Sequence, residues 1–336
     1  MIPFWILAMG LYYFFRFYGL DQTPGISVGN ESPIAAASGL THISVGIVAA
    51  LVYTLVEYVG GLHFVKQRSY GIVLLTKILA AFFLILFISY LVASYIAPFE
   101  IADTVKILRF KPFWALLLYF TMMSALASFI RLMIQKIGKG PFIRLLLGRY
   151  RKPKKENRVF LFLDLKSSVQ YAQKLGHSTY SRLIQECFFD LDISVNRYQG
   201  EIYQYIGDAA VVTWSFTSAL QNNNCVRCFL SFQKRIKQRR NFYLTNFEFV
   251  PVFKAGLHGG SLTVAEVGGE KKEIAYYGDV INTASRIQQA CTSLGEQFLI
   301  SAELAVKMPK INYRSVGPVE LKGREKSIEL VTLPVT

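Results

Sequence analysis

"EIYQYIGDAAVVTW" (201–214) alternates apolar and polar residues on either side of Gly207 and Asp208. Period-2 alternation in each half predicts two strands, and the Gly-Asp pair predicts a tight turn, because Gly accepts positive φ and Asp bonds its own backbone. A tight turn has no need of a bare carboxylate at its tip. What Asp208 does there depends on what the rest of the chain brings beside it.

Upstream, "RVFLFLDL" (158–165) reads as a continuous apolar strand ending near Asp164, and the next stretch as a helix start, a turn around Gly176 and a long amphipathic helix stopping before Gly200. Downstream, a second amphipathic helix covers about 217–240, and "FVPVFKAGLHGGSLTVAEVGG" (249–269) predicts two strands about a Gly-Gly turn. The order strand, helix, strand, strand, helix, strand is the split βαβ pattern. It predicts an α+β, ferredoxin-like domain whose antiparallel sheet carries both helices on one face. A helix over about 279–291, a short strand, a helix and a closing pair of strands complete the domain.

That topology sets the end of the first strand beside the hairpin tip, so Asp164 and Asp208 meet at one edge of the sheet. Two adjacent carboxylates repel and shift toward protonation unless a cation lies between them. Hard oxygen ligands favour Mg2+ or Mn2+ over zinc. Lys166, Ser167 and Ser168 follow at a strand-to-helix junction, where free N–H groups attract anions; a plain Ser N-cap is the alternative. "LKGREK" (321–326) puts Lys322 and Arg324 on a late turn, suited either to outer phosphates or to a solvated charge cluster. Asn282 and Arg286, four apart, share one helix face: an Arg clamps a phosphoryl group and an Asn holds a ribose oxygen, or both line an exposed face.

The 336 residues are 52% hydrophobic, with mean hydropathy +0.33, and the excess lies in residues 1–137. Four stretches there are long enough to cross about 30 Å of hydrocarbon as helices: 2–20, about 40–61, about 71–97 and about 113–135. The first is interrupted by Arg16, and a signal peptide competes for it without a basic leader or a small-residue cleavage site. Basic residues crowd after the fourth, which places both chain ends and the second half in the cytoplasm of a multi-pass inner (plasma) membrane protein. Residues 1–156 carry 16 Lys and Arg against 6 Asp and Glu. Much of the net +15 therefore belongs to the membrane half and its basic linker at 138–157, where it meets anionic headgroups of the lipid bilayer and requires no nucleic acid. Glu57 lies inside a predicted span, as a sensor or ion site or as an interfacial side chain; His42, His63 and Lys77 lie nearer span ends. Cys187, Cys225, Cys228 and Cys291 all fall in the second half, on the reducing side, and "CVRC" reads as two helical neighbours rather than a zinc site.

"FLFLDLKSS" (160–168), "YQYIGDAAVVTW" (203–214), "FKAGLHGGSLTVAEVGG" (253–269) and "YYGDVINTASRIQ" (276–288) occur in the order and spacing of the class III adenylate and guanylate cyclase catalytic domain, and about 158–333 resembles that family. With its spans and linker the chain looks like a bacterial membrane-anchored cyclase. The resemblance implies that Asp164 and Asp208 hold two Mg2+ or Mn2+ ions with the Leu165 carbonyl, and that Asn282 and Arg286 position the ribose and stabilise the transition state. It also implies that Lys322 binds triphosphate, and that metals and Asn/Arg pair come from opposite subunits of a head-to-tail homodimer. The expected reaction turns ATP into 3′,5′-cyclic AMP and pyrophosphate, with GTP and cyclic GMP as the alternative, or an inactive cyclase fold that only dimerises. Gln204 and Ala275 stand where the family reads the purine, and they fit neither its adenine nor its guanine pattern. "DLKSSV" departs from the usual Gly-Phe-Thr of the phosphate loop.

Overall fold

The computed structural model describes residues 2–18, scattered helical residues between 47 and 83, and residues 111–333 apart from 271, 309–310 and 322–326. The chain divides into two compact units, Met1–Lys136 and Ile137–Thr336.

In the first unit, helices α1 (Ile2–Tyr18) and α2 (Lys111–Ile137) are rich in apolar residues. Trp5, Met9, Tyr53 and Phe120 are buried together, Trp5 stacked on Phe120 at 5.6 Å. Tyr53 Oη and Ser128 Oγ lie 2.9 Å apart; a polar pair of this kind is satisfied within the helices instead of by water. Among the described residues one helical stretch, Leu118–Ile137, is long and apolar enough to cross a membrane, and Ile2–Tyr12 is a shorter apolar stretch. The second and third predicted spans fall largely outside the described residues, as do Glu57, His42, His63 and Lys77.

The second unit opens with a short helix, α3 (Lys139–Leu146). Its sheet runs β2 (Glu201–Ile206), β3 (Ala209–Ser215), β1 (Lys154–Leu165), β4 (Phe253–Val267), β6 (Phe298–Ser301), β8 (Ile328–Thr332), β7 (Arg314–Val319), with β5 (Glu273–Tyr277) also paired to β4. β1 is central because alternate side chains bury on both faces. Val159, Leu161, Leu163 and Leu165 pack under α4 (Ser168–Arg197) and α6 (Asn224–Gln238), whereas Phe160 faces α8 (Asp279–Ser293) with Leu262, Val264, Val280 and Ala284. The split βαβ order and the common face of its two helices are as expected. The kink at Gly176 (φ 71) lies inside α4.

Three readings need correction. The sheet is mixed, since β4 pairs parallel with β6. Gly259 and Gly260 make no turn but lie inside one 15-residue strand. A Cβ on Gly259 would stand 2.9 Å from Val159 Cγ2, so the glycine marks close approach of neighbours, its other meaning within a strand. The helix expected over 217–240 is broken into α5 (Phe216–Leu220), a 3-10 turn and α6, with Asn222 and Asn223 in the left-handed region that Asn tolerates. Helix α7 (Arg240–Phe247) and strand β5 had no counterpart in the sequence reading.

A charge network pins α3 to the sheet. Arg144 donates to both carboxylate oxygens of Glu201 at 2.9 and 2.6 Å, and the buried Arg158 reaches Glu201 at 3.2 Å and Glu156 at 3.3 Å. Burial alone would raise the Glu201 carboxyl; the Arg144 bond and charge, then Arg158, outweigh it and hold it below the usual glutamate range. A depressed carboxylate stabilises the fold above its unfolded pKa, and that contribution disappears as pH falls through the folded value. Arg144→Met leaves Glu201 paired only with Arg158 and is expected to cost about 1–3 kcal/mol at neutral pH. The penalty shrinks in thermal melts below about pH 4, and a pH-independent loss would refute this origin.

Candidate active site

β1 ends next to the β2–β3 turn because it pairs with β3 from Arg158 to Asp164: Asp164 registers with Ala209, the first residue after Asp208. On the other side Asp164 registers with Lys254 of β4. Gly207 takes φ +62, which lets the turn close and leaves Asp208 beside Asp164. Burial first, then the charge of Asp208, raise the Asp164 carboxyl above the usual carboxylate range, against the pull of the Lys254 ammonium and the Gln288 amide. Asp208 Oδ2 is buried with no hydrogen-bond partner.

A buried acceptor without a donor, beside a second carboxylate whose charge is disfavoured, is the arrangement a cation relieves. Among the described residues no group of three or more His, Cys, Asp or Glu gathers anywhere. The donor set is then two carboxylates with room for carbonyl and ligand oxygens, which fits Mg2+ or Mn2+ held largely by a substrate's phosphates and does not fit a structural zinc site. Cys225 and Cys228 are buried, and burial pushes the Cys225 thiol up to about 12, so "CVRC" is packing.

The other predicted residues are distributed as follows. Leu165 is buried at the end of β1. Lys166 is exposed and its N–H donates to the Val252 carbonyl at 2.8 Å. Ser167 holds φ +60 at the N-cap position of α4, and its side chain makes no capping bond, so the plain N-cap reading fails. Ser168 bonds Tyr180 of α4, whose hydroxyl pKa is raised by burial, then by Asp208, and also by Asp164. Gln204 is exposed on edge strand β2 and Ala275 half-buried on β5 opposite Ala265. Gln204 lines a cavity of about 320 Å³ with Ile274 and Tyr276, the neighbours of Ala275, and with Pro141 and Leu145 of α3. Asn282 is exposed and Arg286 half-exposed, away from the α8 face that packs on the sheet. Lys322 and Arg324 lie outside the described residues.

The fold thus joins Asp164, Asp208 and, through Tyr180, Ser168. Asn282 and Arg286 are carried on a different side of α8 from the residue that meets Asp164. Sequence reading missed that residue, Gln288, and also Lys254 and Tyr180. Lys254 was recoverable from strand pairing, because it registers with Asp164; Gln288 was not, because its contact requires knowing which face of α8 lies on β4.

Residues 150–333 match the model of the adenylate and guanylate cyclase catalytic domain family, and the chain belongs to that family. A relative, adenylate cyclase 2 of Rhizobium meliloti (strain 1021), is 36% identical over 220 residues, which is 65% of this chain and 61% of the relative. The chain spans about 61% of the length of that curated relative. Among solved structures, the adenylyl cyclase CyaB from P. aeruginosa aligns with TM-score 0.50 and 18% identity, over 55% of this chain and 97% of that one. A bacterial light-regulated adenylyl cyclase aligns with TM-score 0.55 and 16% identity over 64% and 63%. At these identities the two structures speak to the fold.

Proposed function

We propose that the protein is a membrane-anchored adenylate cyclase that converts ATP into 3′,5′-cyclic AMP and pyrophosphate at sites shared between two copies of the chain. The observation that carries this is the convergence of Asp164 with the unsatisfied Asp208. Asp164, Asp208 and the Leu165 carbonyl would hold two Mg2+ or Mn2+ ions, whose chemistry would be to acidify the ribose 3′-OH and neutralise the β- and γ-phosphates. Arg286, lent by the partner copy, stabilises charge on the α-phosphate oxygens during in-line attack by the 3′-oxygen, and Asn282 orients the ribose. The left-handed backbone at Ser167 opens the α4 terminus toward phosphate, joined by Lys166, and the family resemblance assigns Lys322 to the triphosphate. Tyr205 and Ile206, exposed on edge strand β2, which pairs with β3 on one side only, support a partner surface there.

The neutral amide of Gln204 presents both a donor and an acceptor to the purine, and Ala275 adds no charge. ATP is favoured because a guanine-type acidic reader is missing from Gln204's position, and the adenylate cyclase at 36% identity leans the same way. Anchoring follows from the apolar helices of the first unit together with the basic residues after them, which leave the catalytic half in the cytoplasm. Regulation passes through the segment before β1: α3 is clamped to Glu201 on the strand that carries Gln204 and leads into the Asp208 turn. Purified full chain given ATP or GTP with Mn2+ is expected to yield cyclic AMP at least about tenfold faster than cyclic GMP. Preferential cyclic GMP would reverse the substrate assignment, and no cyclic product from either nucleotide would favour an inactive dimerising module.

A further inference from the structure

Helix α8 lies unusually close to β4, because Gly256 leaves room where a Cβ would stand 2.2 Å from the Gln288 backbone nitrogen. The closeness brings the buried Gln288 side chain to the metal carboxylate: Nε2 donates to Asp164 Oδ2 at 3.2 Å. A second link comes through β4. Lys254 Nζ lies 3.7 Å from the same Asp164 oxygen and donates to Thr292 Oγ1 of α8 at 2.7 Å. Both polar contacts on Asp164 Oδ2 therefore lead back to one helix. Residues 286 and 288 are about 200° apart around that helix, so the body that steadies this chain's Asp164 carries Asn282 and Arg286 on another side.

We infer that Gln288, aided by Lys254, is a positioning residue that ties Asp164 to α8, so that metal loading at one site is coupled to how Asn282 and Arg286 are presented to the other. The inference rests on the two-metal, shared-site reading above. Neither side chain is assigned a place on the substrate. Each fixes the orientation of a carboxylate that must turn toward a cation, and such outer partners commonly change metal affinity tenfold or more when removed. Gln288→Met keeps length and bulk and deletes the donor; Lys254→Met deletes the bridge to Thr292 while leaving every residue of α8 unchanged.

The test is Mn2+ binding to full-length protein without nucleotide, read from the free Mn2+ signal by electron paramagnetic resonance. About tenfold weaker binding is expected for Gln288→Met and a smaller loss for Lys254→Met, with melting temperatures of the metal-free variants near that of the parent. Should Gln288→Met fail to fold, the Lys254→Met titration decides alone. Unchanged Mn2+ affinity in the folded variants overturns the inference. For the coupling, Gln288→Met is placed in one chain of a mixed dimer made from Asp208→Ala and Arg286→Ala chains. In the Arg286→Ala chain, which supplies the metals, it should raise the Mn2+ concentration for half activation; in the other it should lower kcat with that concentration unchanged. The same shift from either chain refutes the coupling. Failure of the cyclase reading looks different: the parent makes no cyclic nucleotide, while the difference in Mn2+ binding persists.

Discussion

Asp208→Ala and Arg286→Ala homodimers are each expected to lose at least about a hundredfold in turnover, the scale of removing one group that stabilises charge in the transition state. Co-expressed, the two defective chains should recover part of the activity. In the mixed dimer one site has lost both contributions, whereas the other takes metals from the Arg286→Ala chain and the guanidinium from the Asp208→Ala chain. Half the sites then work, and with random pairing half the dimers are mixed, so about a quarter of parental activity is the ceiling. The physical ground is that Asp164 and Asp208 meet within one chain, while Asn282 and Arg286 sit away from the α8 face packed on the sheet. Dimers that form normally yet recover nothing would rule out a shared site.

Gly256→Ala is expected to cost about 3 kcal/mol or more, at the upper end of overpacking penalties. The added methyl would meet the Gln288 nitrogen at 2.2 Å and the Ala284 carbonyl oxygen at 2.7 Å. Both are backbone atoms of α8 and have no rotamer through which to move aside. The helix must lift from β4, which weakens the cluster of Phe160, Leu262, Val264, Val280 and Ala284 and pulls Gln288 from Asp164. For a unit of this size the melting temperature should fall by about 10 °C, with metal affinity falling too. Gly269→Ala is the control, since a Cβ there meets nothing within 4 Å. Equal melting temperatures for the two variants would mean that α8 does not lie on the sheet as described.

Most of the sheet was legible because burial on one or both faces leaves a period in the sequence. "RVFLFLDL" and "AAVVTW" announce strands without help, and Gly-Asp announces the turn between β2 and β3. The failures share a cause. Gly259 and Gly260 look like a turn when only local preference is weighed, yet they are strand residues whose missing side chains admit Val159, Leu304 and Phe216 at the first and Val280 at the second. β5 is short and half-exposed, and α7 has little amphipathic pattern, so neither leaves a strong period.

By itself the amino-acid sequence determined the split βαβ order of the central strands and helices, the candidate residues Asp164, Asp208, Asn282 and Arg286, and the family they resemble, because those depend on residue type, spacing and period. Tertiary structure alone decided that Asp208 keeps an unpaired oxygen beside Asp164, that Arg144 clamps α3 onto Glu201, and that Gln288 reaches across from α8. These are contacts between residues 57 to 124 positions apart or between neighbours brought together by pairing register. Their energies depend on burial and distance, which no stretch of sequence carries until the sheet has closed.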